Sequence, residues 1–167
     1  MQSKNAFAIL AILCAIALWE FGMMNVHQQN RLDLYSQAEK YARERNKPFL
    51  VVGMPMGMYG CGDINLDIRQ SDECPVFIQA DVHDLYMFED KQFGSVFASH
   101  VLEHVYDIEK AFQELNRIAD KTYIAHPFWY SLSKYFPYDH KWIIYSAPPE
   151  TEYLKYRPIA GRNNVRY

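Results

Sequence analysis

The chain opens on an apolar block and then changes period. Ala6–Trp19 (AFAILAILCAIALW) carries no charge, and the apolar character continues to Met24, broken only by Glu20. As an α-helix, residues 6–24 extend about 28 Å, close to the thickness of a bilayer core. We expect a membrane anchor there. A cleaved signal peptide is the alternative, since the uninterrupted run is short and Lys4 precedes it, although Leu18-Trp19-Glu20-Phe21 is bulky where small residues are wanted. A buried core helix is the third reading.

Asn25–Asn30 reads as a polar linker. Leu34, Tyr35, Ala38, Tyr41 and Ala42 then recur at helical spacing, predicting an amphipathic helix over about Leu32–Arg45, stopped by Asn46 and Pro48. Short apolar runs at Phe49–Val52, Ile64–Ile68, Val76–Ala80, Phe93–Ser99 and Tyr123–Ala125 read as buried strands. Ile108, Ala111, Phe112, Leu115 and Ile118 mark a helix over Asp107–Ala119, with Asp107 as its N-cap. Trp142–Tyr145 is a possible sixth strand in the aromatic region Phe128–Pro149. Strands alternating with helices point to an α/β fold: a doubly wound, mainly parallel sheet of five to six strands. The expected division is anchor and linker (1–30), α/β domain (31–156) and a basic extended tail (157–167) with Arg157, Arg162 and Arg166.

Composition changes this picture little. A chain of 167 residues suits one domain, and 50% hydrophobic and 16% aromatic content makes global disorder implausible. A net charge of −3 gives no argument for nucleic acid. Three cysteines (Cys14, Cys61, Cys74) cannot form a paired disulfide framework, and Cys14 sits in an apolar run, so a reducing compartment is the easier reading. Lys4 alone precedes the apolar run, whereas Arg31, Lys40, Arg43 and Arg45 follow it, a bias that favours a cytoplasmic carboxy-terminal domain.

The candidate chemistry gathers where strands end. Val51-Val52-Gly53-Met54-Pro55-Met56-Gly57 is a strand closing on glycines, which lets backbone amides approach a ligand. Asp67 closes the second strand and Asp81 follows the third. Each taken alone is better read as a loop acid capping backbone amides, and only the pair at the ends of successive strands brings a binding role level with that reading. His100-Val101-Leu102-Glu103-His104 has the H-x-x-E-H spacing of a zinc-binding helix. It directly follows a buried strand, however, and no distal acidic ligand stands out, so no metal is expected. His126, Tyr138, His140, Lys141 and Trp142 lie after the fifth strand, where such folds build an acceptor pocket; core and rim packing is the plainer account of Trp142 and Tyr145.

The segment Ala80–Pro127, with Asp81-x-x-x-Leu85 and Phe93-Gly-Ser-Val-Phe-Ala-Ser-His100-Val-Leu-Glu-His104, resembles the second half of class I S-adenosylmethionine-dependent methyltransferases, above all the small type 11 group. Gly62-Asp63-Ile64-Asn65-Leu66-Asp67 is similar to a short subgroup with a reduced glycine loop. The likeness covers about Phe49–Ala147. It implies a methyltransferase-like Rossmann variant with reduced helices that binds S-adenosylmethionine and methylates an O, N or C nucleophile. Gly53, Gly57, Asp67, Asp81, Val82 and Ser99 would line the cofactor, Asp67 at the ribose and Asp81 at the adenine, while His100 and His126 would serve catalysis. The chain departs from the pattern at Val51 and Pro55, and the few residues between Gly57 and Asp67 leave no room for the usual helix. That gap would bare part of the sheet, to be buried by the Leu32–Arg45 helix, a partner chain or the membrane. The rival reading is an inactive, membrane-attached interaction module, with Met54, Met56 and Met58 filling the pocket.

Overall fold

The computed structural model describes residues 2–55, 57–132 and 139–162, with the backbone alone for 2–6. Its elements are α1 (Gln2–Glu44), β1 (Phe49–Val52), β2 (Ile64–Asp67), β3 (Phe77–Gln79), β4 (Phe93–Ser99), α2 (Ile108–Ile118), β5 (Ala119–Ala125), β6 (Trp142–Ser146) and β7 (Lys155–Pro158). The first five strands form one wholly parallel sheet in the order β3-β2-β1-β4-β5. Chain order reverses between β1 and β4, which opens a crevice at their carboxyl ends. Both strands are buried along their whole length, the pattern of parallel strands covered on two faces.

On one face lies α2. Its Ile108, Ala111, Leu115 and Ile118 pack with Leu85 and Leu102 onto Leu50, Val52, Leu66, Val96 and Ala98. Asp107 is the N-cap, accepting a 3.0 Å bond from Lys110 N–H. Arg117 in the last turn holds Glu114 through two bonds of 2.9 Å and donates to the carbonyls of Leu85 and Phe88. That clamp fixes the loop following β3.

The other face belongs to the second half of α1. Leu34, Ala38 and Ala42 pack on Phe49, Val51, Phe97, Tyr123 and Ala125. Small residues bring helix and sheet close enough for Ser95 Oγ–H to donate to Ala38 O at 2.6 Å. The Leu32–Arg45 helix, one of the coverings expected for the bared sheet, lies on it as part of α1. Between β1 and β2, the described residues of 53–63 form no helix.

Three expectations need correction. Asn25–Asn30 is not a linker but part of one unbroken α1. Its polar side chains make helix-compatible bonds, Asn25 to Phe21 O and Gln29 to Asp33, and His27 reaches the sheet. Trp142–Ser146 is a strand outside the main sheet: β6 pairs antiparallel with β7, which takes up Arg157 from the expected tail. Cys61 and Cys74, thirteen residues apart with Cα atoms 5.8 Å from one another, form a disulfide. The expectation of unpaired cysteines fails because the loops after β1 and β2 come together in space. Only Cys14 is a free cysteine, and it is exposed on α1.

From Phe7 to Trp19 every side chain of α1 is exposed. From Phe7 the helix is long and apolar enough to cross a membrane, with a mean hydropathy of 2.2 over a window that is wholly unburied.

Candidate functional site

Five parallel strands deliver their carboxyl ends to one rim. At the end of β1, Gly53 has φ +95°, and a Cβ there would lie 2.6 Å from Ser99 O. Only glycine fits this position, where β1 and β4 converge at the crossover crevice. Gly57 N–H donates to Glu73 Oε1 at 2.9 Å, so the glycine loop leans toward the loop after β2, to which the Cys61–Cys74 bridge also ties it. Tyr59 closes the loop inward: its ring meets Phe97 edge-on at 5.2 Å and its hydroxyl donates to Met54 O. Met58 Sδ accepts from Arg31 Nη1 at 3.0 Å. Met56 and Tyr138 lie outside the described residues.

The Gly62–Asp67 motif divides by role. Asp63 accepts from Phe49 N–H (2.8 Å) and Arg43 (2.7 Å), which lowers its pKa, and Asn65 Oδ1 accepts from Gly62 N–H. These are bonds at the amino end of β2. A hollow of about 330 Å³ lined by Arg43, Asn46, Lys47, Pro48 and Asp63 lies at that same end, away from the rim. Asp67 alone stands at the carboxyl end, where its Oδ1 takes the Arg69 N–H at 2.8 Å.

Asp81 follows β3. Its Oδ1 meets both His83 N–H (2.9 Å) and His83 Nδ1 (2.5 Å), while the side chain keeps 40% of its exposure. His83 is buried, stacks on Tyr106 and accepts from Asp107 N–H through Nε2. Asp81 is thereby aimed by the His83 imidazole. Val82 turns into the core, leaving only its backbone to the rim.

Past β4, His100 adopts φ +54° and its Nε2 lies 2.8 Å from Nε2 of His27 on α1. Its Nδ1 lies 2.8 Å from Glu103 Oε1. Glu103 is 1% exposed. Burial pushes its pKa up, and the surrounding His100, His104 and His140 outweigh that, holding it at about 2. After β5, His126 contacts Pro127 O through Nδ1 at 3.0 Å, and burial lowers its pKa.

A family model described as "Methyltransferase domain", of the type 11 group, matches residues 25–122, well over half the chain. The chain belongs to this methyltransferase family. No curated protein matches it.

Within the methyltransferase domain, the rim brings together Gly53, Ser99 and His100 at the crevice, with Asp67 and Asp81 on the two neighbouring strands. Gly57 is drawn aside toward Glu73. Sequence reasoning missed His27 and Arg31, because a polar pair following an anchor carries no signal that the helix continues across the sheet end. It also missed Glu103 as the hub of the imidazoles, although the H-x-x-E-H spacing marked the segment. His140 stood among the acceptor-side residues; its approach to Glu103 depends on contacts remote in sequence.

Proposed function

We propose that this chain is a membrane-anchored methyltransferase that uses S-adenosylmethionine and acts on an acceptor presented at the membrane surface. One observation carries the reading. Because α1 runs antiparallel to the strands, the rim holding Gly53, Asp67, Asp81 and His100 faces the apolar end of the helix. His27, at the rim, follows Glu20 by about 10 Å along the axis. Glu20 in turn accepts from Ser131 Oγ–H (2.8 Å) and Leu132 N–H (3.1 Å). Those bonds hold the exposed Trp129, Tyr130 and Leu132 level with the exposed Trp19 and Phe21. Aromatic side chains gathered at one depth suit a membrane–water interface.

The rim fits the cofactor in kind. Gly53 leaves the backbone open to close approach, Asp67 is a strand-end carboxylate for ribose hydroxyls, and both His83 contacts with Asp81 fall on Oδ1. The sulfonium cofactor supplies the methyl group. In this reading the chain's own residues hold donor and acceptor in line and exclude water, and His126 is the base we assign to the proton an acceptor releases. Incubating the full chain in vesicles with radiolabelled S-adenosylmethionine tests this. Label in the lipid or membrane-protein fraction supports the reading; label confined to water-soluble acceptors contradicts it.

A specific packing favours a second reading, an inactive interaction module. Tyr59 on Phe97, and Met58 on Arg31, lay the glycine loop against α1. On orientation, two features oppose one another. Basic residues after the anchor favour a cytoplasmic domain, whereas the Cys61–Cys74 bridge belongs with an oxidising compartment. Glycosylation-site tagging of the carboxyl terminus decides between the two.

A further inference from the structure

The sequence offers no distal acid to complete His100–His104, but the fold supplies an imidazole. We propose that Glu103, His104 and His140 bind a divalent first-row transition-metal ion, Zn²⁺ being the best suited. One ligand atom from each lies within 4.8 Å of the others. A tetrahedral zinc site with bonds of about 2.0–2.1 Å places its ligands roughly 3.4 Å apart. Side-chain rotations closing a little over an ångström therefore complete it.

Two observations point to a cation rather than to a packed polar cluster. Glu103 is 1% exposed, and its carboxylate has no hydrogen-bond partner among the described residues beyond the ion-pair approach of His100 Nδ1 to Oε1 at 2.8 Å. His104 Nδ1 is a buried atom that makes no hydrogen bond, its one close contact being the ion-pair approach of Asp139. A carboxylate removed from water without donors is costly, and a bound cation removes that cost. The second observation is the scaffold. Lys141 N–H and Trp142 N–H both donate to Glu103 O, at 2.7 and 3.2 Å, and Trp142 Nε1–H donates to Val105 O at 2.7 Å. These bonds fix His140 beside Glu103 and His104, with the two imidazole rings 4.6 Å apart.

Two imidazoles and one carboxylate form an N₂O set that suits zinc and leaves a fourth position open. Asp139 stands at the exposed side, its Oδ2 3.2 Å from His104 Nδ1, as a fourth ligand or an outer partner. The ion would lie one side chain from His100. This inference stands independently of methyl transfer, because the metal itself is measured.

The test uses the full chain in detergent, stripped with chelator and titrated with Zn²⁺. One equivalent per chain is expected, with zinc-edge X-ray absorption showing nitrogen and oxygen ligands that include two imidazoles. His140→Asn should weaken binding at least about tenfold. His27→Gln, which removes an imidazole outside the ligand set, should leave it unchanged. A folded wild-type protein that takes up no zinc overturns the proposal, as does affinity unaltered by His140→Asn. Sulfur ligation in the absorption spectrum does so too, with no substitution needed.

Discussion

His27 of α1 and His100 at the end of β4 meet nitrogen to nitrogen at 2.8 Å, with their rings edge to face. The contact joins the long apolar helix to the methyltransferase rim, where His100 adopts a left-handed conformation that glycine accommodates most freely. His100→Gly should therefore be about 1 kcal/mol more stable than His100→Ala. Urea unfolding of the detergent-solubilised chain measures the difference. Equal stabilities would mean the backbone at His100 is unstrained.

The fit of α1 on the sheet is tight at Gly94. A Cβ there would come within 2.8 Å of Ala42 Cα and 3.1 Å of Lys47 Cβ. Backbone cannot yield as a flexible side chain does, so Gly94→Ala should cost about 1–3 kcal/mol. A thermal melt indistinguishable from wild type would show that the helix does not lie on this face.

Cysteine chemistry gives a simple count. In protein denatured without reductant, one thiol per chain, that of Cys14, should react with maleimide, and three should react after reduction. Three reactive thiols before reduction would mean the loops after β1 and β2 are not bridged, and would return the domain to a reducing compartment.

His126 sets a pH dependence. Burial lowers its pKa below the ordinary 6.5, so between those values the unfolded chain binds a proton that the folded chain refuses. Stability therefore falls as pH drops below about 6.5, and it is retained above. His126→Asn should lose less melting temperature than wild type between pH 7.5 and pH 5. Parallel losses would assign the acid sensitivity to other groups.

Much of the architecture was legible in the sequence because local chemistry dictates it. Seven apolar or small residues closed by Ser99 can only be a buried strand, and β4 spans Phe93–Ser99; Asp107 capping an amphipathic run gives α2. Asp67 and Asp81 were legible as strand-end acids for the same reason. What escaped depends on contacts between remote segments. The continuity of α1 through Asn25–Asn30 is settled by His27 on His100, and the Cys61–Cys74 pair by the joining of two loops. His140 is placed by two backbone bonds to Glu103 O, a donor pattern that no spacing reveals.

Cofactor binding is the claim on which the account rests. Calorimetry of the full chain in detergent with S-adenosylmethionine and S-adenosylhomocysteine, alongside Asp67→Ala and Asp81→Ala, measures it directly. The account predicts saturable binding of both ligands, weakened at least about tenfold by either substitution, the loss of a charge-assisted pair of hydrogen bonds. A folded sample that shows no heat with millimolar ligand, or binding indifferent to both carboxylates, would contradict it.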